Sequence, residues 1–132
     1  MSSFLKDVEN FIKNPGRHSQ QESYPIMKDT LEYMLYQAKA VGVKNAVATD
    51  KIISHLKAKG HKIHKSKWQV EILGYLRDNE IFIGSKNGVG MFLIDTEEDA
   101  KETYSFIVER ISKHQQRKKI LEKKAKEAGY NL

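Results

Sequence analysis

Cysteine is absent from this chain of 132 residues. Disulfides and thiolate metal sites are thereby excluded, and an intracellular setting is the expectation. No apolar run approaches the roughly 20 residues a helix needs to span a bilayer. The opening "MSSFLKDVENF" mixes acids with its apolar residues, so a signal peptide is not expected. A soluble cytoplasmic protein is anticipated. Catalytic signatures are missing too: there is no G-x-S-x-G nucleophile elbow and no H-E-x-x-H. "GVGMFL" has two glycines but lacks the further glycine and the lysine of a phosphate loop. His55, His61 and His64 stand six and then three residues apart. That spacing matches no structural zinc pattern, and no cysteine can complete one. Glu122 and Lys124 form an E-x-K without a partner aspartate on a nearby strand, and chance explains it. No internal repeat or low-complexity linker is present. A non-enzymatic chain without metal or cofactor is expected.

What the chain does have is basic charge, unevenly placed. The net charge is +6 and the pI about 9.4. Residues 1–50 balance six bases with six acids, whereas residues 51–90 hold eight bases against three acids. Residues 91–100 carry four acids and no base, and residues 101–128 carry nine bases against four acids. Basic charge gathered around one motif is the electrostatic mark of a polyanion partner. A lysine-rich solvated surface fits the charge alone equally well.

Periodicity predicts five helices and a hairpin. Phe4, Leu5, Val8, Phe11 and Ile12 recur at helical spacing, with Ser2 or Ser3 as cap and "NPG" at 14–16 as stop. "RHSQQESYP" reads as a loop. In "IMKDTLEYMLYQAKAVG", Leu31, Met34, Leu35 and Ala38 share a face, and Gly42 is the expected stop. "NAVA" can pair as a minor strand. Thr49 is then the expected N-cap of a helix that turns Ile52, Ile53 and Leu56 inward and stops at Gly60. A further helix starts near His64 to Ser66, with Trp68, Ile72, Leu73 and Leu76 on one face. Trp68 is expected in the core, because an amphipathic helix must bury that stripe. "IFIGS" and "GMFLI" are strands by composition. Asn87-Gly88 between them is the dipeptide that tolerates positive φ at both central positions of a tight turn. Thr96 with Asp99 three residues on resembles a capping box. The acids of "DTEED" therefore suit a helix N-terminus better than a cation site. Ala100, Tyr104, Ile107, Val108 and Ile111 continue an apolar face that lapses through "SKHQQRKK" and resumes at Leu121, Ala125 and Ala128. This helix can reach about thirty residues, with Gly129 as its stop.

The unit from Thr49 to Ile94, "TDKIISHLKAKGHKIHKSKWQVEILGYLRDNEIFIGSKNGVGMFLI", resembles a winged helix-turn-helix of the bacterial and phage type. A capped helix, a short turn at "GHKI", a helix ending in "YLRD" and a two-stranded wing follow in order. The cadence "LR…IFIGS…G.GMFLI" is similar to the family's passage from helix to wing. The resemblance covers roughly residues 27 to 100, departing from the family pattern at the histidine- and lysine-bearing turn at 60–64. It implies a mostly α fold with a small antiparallel hairpin: an N-terminal helix and loop at 1–26, a winged-helix core at 27–95, and a long C-terminal helix at 96–132. It further implies that the second helix enters the major groove of double-stranded DNA while the wing tip touches the backbone. Mapped here, the reading residues are His64, Lys65, Ser66, Lys67 and Gln69. Lysine can donate to guanine acceptors and glutamine can pair with adenine. Ser66 could instead cap the helix. Lys62 and Lys51 are candidates for phosphates, which position without specifying sequence. Lys86 and Asn87 are the wing-tip candidates, and of these only Lys86 is free of a duty in the turn.

The implied function is a transcriptional regulator or a phage or plasmid replication factor. The alternative is a protein–protein adaptor on the same fold, or a recognition module of a larger complex, since fold does not fix function. The stripe at Ile107, Ile111, Leu121 and Ala125 favours pairing with a second copy. "RISKHQQRKK" could otherwise serve as a nonspecific phosphate rail.

Overall fold

The computed structural model describes residues 2–132. Helix α1, Ser3–Lys13, opens with the Ser2 hydroxyl accepting from the Leu5 N–H at 3.3 Å and buries Leu5, Val8 and Phe11. The polar stretch expected as plain loop contains a 3₁₀ turn at Gly16–Gln20. Helix α2 runs through Tyr24–Glu32 and loosens into a π turn at Tyr33–Gln37. It ends well before Gly42, the expected stop; Lys39 reverses the chain at φ 49° instead. The reason is competition from a sheet edge. Ala40 accepts from the Leu93 N–H at 2.7 Å, and the Gly42 N–H donates to the Leu93 carbonyl at 2.9 Å. Those bonds take backbone groups that a longer helix would need.

Val47 bridges antiparallel to Met91 through two 2.8 Å hydrogen bonds, as the minor strand in "NAVA" required. This keeps the backbone extended through Ala48, so Ala48 takes the cap position of α3, Thr49–Ala58. Thr49 is the first helical residue rather than the N-cap, and α3 has no side-chain cap. Helix α4 begins at Lys65–Lys67, passes through a π-helical stretch at Trp68–Leu73 and closes at Gly74–Asp78. Its cap is His64, whose Nδ1 accepts from the Lys67 N–H at 3.3 Å. Ser66 lies inside the helix and caps nothing.

Strands β1, Ile83–Lys86, and β2, Gly90–Leu93, pair antiparallel from Ile83↔Leu93 to Lys86↔Gly90. The hairpin loop is three residues, closed by the Val89 N–H on the Lys86 carbonyl at 3.1 Å. Only Gly88 within it has positive φ, 76°. Asn87 does not, so the two-residue turn expected from Asn87-Gly88 gives way to one needing glycine at its third position alone. Gly90 lies so close to the bridging strand that a Cβ there would sit 2.5 Å from the Val47 carbonyl oxygen.

Helix α5, Glu97–Glu127, carries the complete capping box expected of Thr96 and Asp99. At 1.5 Å per residue it is about 46 Å long. Its packing face is not the one the apolar pattern predicted. Asp99 and Thr103 are buried while Tyr104, Val108 and Ile111 are exposed. Close approach to the hairpin selects this face, since Thr103 packs against Gly84, where no side chain intervenes.

The core joins Met27, Leu31 and Met34 of α2 to Ile52 and Leu56 of α3, Trp68, Ile72 and Leu76 of α4, and Ile83 and Leu93 of the hairpin. Trp68 is fully buried, and its Nε1–H donates to the Thr30 hydroxyl at 3.2 Å, which removes the cost of an unpaired indole donor. Helix α1 is tied to this body by Phe11, by the Tyr24 ring and by His18, whose Nδ1 lies 2.7 Å from the Tyr75 hydroxyl.

Candidate nucleic-acid interface

Burial of Trp68, Ile72, Leu73 and Leu76 turns the opposite face of α4 outward. His64, Lys65, Ser66, Lys67 and Gln69 are all exposed there, and Lys62 is exposed on the turn before it. Val70 stands in the same face at 75% exposure. The three histidines once readable as a cluster do separate jobs. His55 stacks on Tyr33, His61 pairs with Asp29 at 2.6 Å, and His64 caps α4.

Beside this face, α4, the hairpin and α5 enclose an open groove of about 550 Å³. Lys65, Gln69, Lys86 and Asn87 line it. Lys62, His64, Ser66 and Lys67 lie outside it, so the eight predicted residues divide between the groove, the outer face of α4 and the turn before it. Lys65 reaches Asp50 at 3.4 Å and Lys67 reaches Glu71 at 3.9 Å, both in solvent. Exposed pairs of this kind contribute roughly 0–1 kcal/mol, so either lysine can exchange its partner for a phosphate at little cost. Lys86 differs from expectation. It is the last residue of β1 and pairs with Glu102 of α5 at 3.1 Å. Both side chains are partly exposed, so this pair too can be exchanged for a phosphate at little cost.

No family model, characterised protein or solved structure matches the chain.

Two arginines that the sequence reading left out of the site line the same groove. Arg77, at the end of α4, is half-buried, with its Nε and Nη2 donating to the Ile83 carbonyl at 3.0 and 2.8 Å. Burial, with the nearby Arg110 guanidinium second, holds its pKa below the usual arginine value. Arg110 of α5 lies over the Phe106 ring at 5.2 Å. Beyond it, Lys113, His114 and Arg117 line a second recess of about 290 Å³ that shares Asn87 and Arg110 with the first. The lining from α4 past the wing tip onto α5 is therefore predominantly basic, with Asp50 and Glu109 as its acids. The spacing of 106, 110, 113 and 117 marks one helical face in the sequence. That this face looks toward the hairpin depends on where α5 docks.

Proposed function

We propose that this chain is a DNA-binding protein of winged helix-turn-helix type, with α4 entering the major groove and the hairpin turn resting on the backbone. Regulation of transcription or replication of a phage or plasmid is the class of role it fits. The carrying observation is the exposed amino-terminal half of α4, bearing Lys65, Ser66 and Gln69, beside a hairpin turn across a basic groove. The element order supports it: α2, the bridge at Val47, α3, α4, then the two strands. Lys65 and Gln69 offer donors and acceptors suited to base edges, and Lys62 a phosphate contact. Exposed Ile111 and Leu121 on α5 support a homodimer through that helix.

The test is titration of random-sequence and selected duplexes across salt concentration. Affinity should fall by roughly 10³-fold or more between 50 and 200 mM salt if about six phosphates are contacted. Reversing Lys65 and Lys67 to glutamate should abolish sequence preference with the far-ultraviolet circular dichroism unchanged. Absence of duplex binding at low salt sinks the DNA reading and leaves the protein-adaptor alternative.

A further inference from the structure

Eight lysine–carboxylate ion pairs and the His61–Asp29 contact are spread over the described residues. None uses any of the four arginines. Two of those arginines, from different elements, face one groove. Arg77 is held there rigidly. Besides its two bonds to the Ile83 carbonyl, its Nη2 donates to the Ser85 hydroxyl at 3.2 Å, and its Cζ lies 5.1 Å from the centre of the Phe82 ring. Those contacts occupy three of the five N–H donors of a guanidinium. The two on Nη1 have no partner among the described residues. Arg110 closes the groove from the α5 side, fixed over Phe106.

A half-buried guanidinium beside a second one, with no carboxylate paired to either, is an arrangement that costs energy. Arg77's lowered pKa records that cost in both its causes. An anion seated between the two would relieve it. Asp50 lines the groove but pairs with Lys65, and Glu102 beside it pairs with Lys86; neither pairs with an arginine. Asn87 borders the same space from the hairpin turn and adds an amide donor.

We infer that Arg77 and Arg110 clamp one phosphate of a nucleic-acid backbone in the groove between α4, the hairpin and α5. The inference rests on the DNA-binding reading above and adds α5 to its contact surface. Arginine suits the task because it stays charged when half-buried: the two Nη1 donors of Arg77 remain for one phosphate oxygen, and the exposed fork of Arg110 can meet the others. A strand held at the clamp continues past Lys113 and Arg117, one and two turns further along α5. A free phosphate group shares the chemistry, and the test separates the two sources.

The experiment combines duplex affinity across salt with the Nε–Hε nuclear magnetic resonance signal of Arg77, sheltered by its bond to Ile83. Arg110 is exposed, so R110Q is the primary variant and leaves the fold intact; R77Q is the secondary one. R110Q should weaken binding roughly tenfold for every duplex tested and lower the slope of log affinity on log salt by about 0.9. R110K should restore the slope. Duplex should shift the Arg77 signal, and inorganic phosphate at the same concentration should not. Wild-type binding with an unchanged slope in R110Q overturns the clamp and leaves the DNA reading standing. Failure of the wild type to bind duplex overturns the DNA reading. A shift of the Arg77 signal by inorganic phosphate at equal concentration overturns the nucleic-acid source in favour of a small phosphate ligand.

Discussion

A single carboxylate shows how much one residue can organise. Asp99 accepts from the N–H groups of Val43 at 3.0 Å, Asp95 at 3.1 Å and Thr96 at 3.0 Å. Burial by itself would push its pKa up, but the donors of Val43, Asp95 and Thr96 together outweigh that and hold it below the ordinary aspartate value. Replacing Asp99 with alanine should cost about 1–3 kcal/mol, because three partly buried N–H groups lose their acceptor. The pH dependence has a definite sign. The folded pKa lies below the unfolded one, so the contribution is complete above the unfolded value and is lost as pH falls through the lowered folded value. Denaturant midpoints measured from about pH 6 down to about pH 3 should fall less steeply for D99N than for the wild type. Equal slopes would mean that Asp99 is not the titrating group. The local half of this device, Thr96 with Asp99, is legible from spacing. The bond to Val43, 56 residues away, is not.

Among the elements, the hairpin depends most on what surrounds it. Val47 completes its edge, Arg77 grips the Ile83 carbonyl, Lys86 ties it to Glu102, and α5 lies against Gly84. An added Cβ at Gly84 would sit 2.6 Å from the Phe92 ring and 2.7 Å from the Thr103 hydroxyl. Gly84→Ala should therefore cost about 1–3 kcal/mol. Amide exchange should quicken in β1, β2 and the first turns of α5 while α3 keeps its protection. Uniform loss of protection over the whole chain would show instead that the hairpin and α5 do not open as a unit. The strands and the glycine turn were readable from composition. The turn geometry was not, since register with β2 decides which residue takes positive φ.

For the whole molecule, the long helix sets the outline. Beyond Thr103, α5 buries only Ala125 near its end, and Val108, Ile111, Ile120 and Leu121 are each at least 42% exposed. No helix among the described residues is long and apolar enough to cross a membrane. At about 100° per residue, Ile107, Ile111 and Leu121 centre roughly 90° around α5 from Arg110, Lys113 and Arg117. A second copy and a nucleic-acid strand can thus occupy neighbouring faces. On the proposed dimer, a chain ending at Ile111 should remain folded, reported by its single buried Trp68, and should sediment as a monomer, while the full chain should sediment as a dimer. A dimer that survives the truncation would place the interface elsewhere.

Residue order determined the helices, the hairpin, the capping box and the buried stripe of α4, because periodicity and local backbone chemistry act within a few residues of each other. It also located the basic charge. Tertiary structure alone decided the end of α2, the cap of α3, the pairing of Lys86 and the face of α5 that docks. It alone brought Arg77 and Arg110 to one groove. Each of these depends on hydrogen bonds or close contacts between distant segments. There the burial of a backbone group or the absence of a Cβ outweighs what a neighbouring residue prefers.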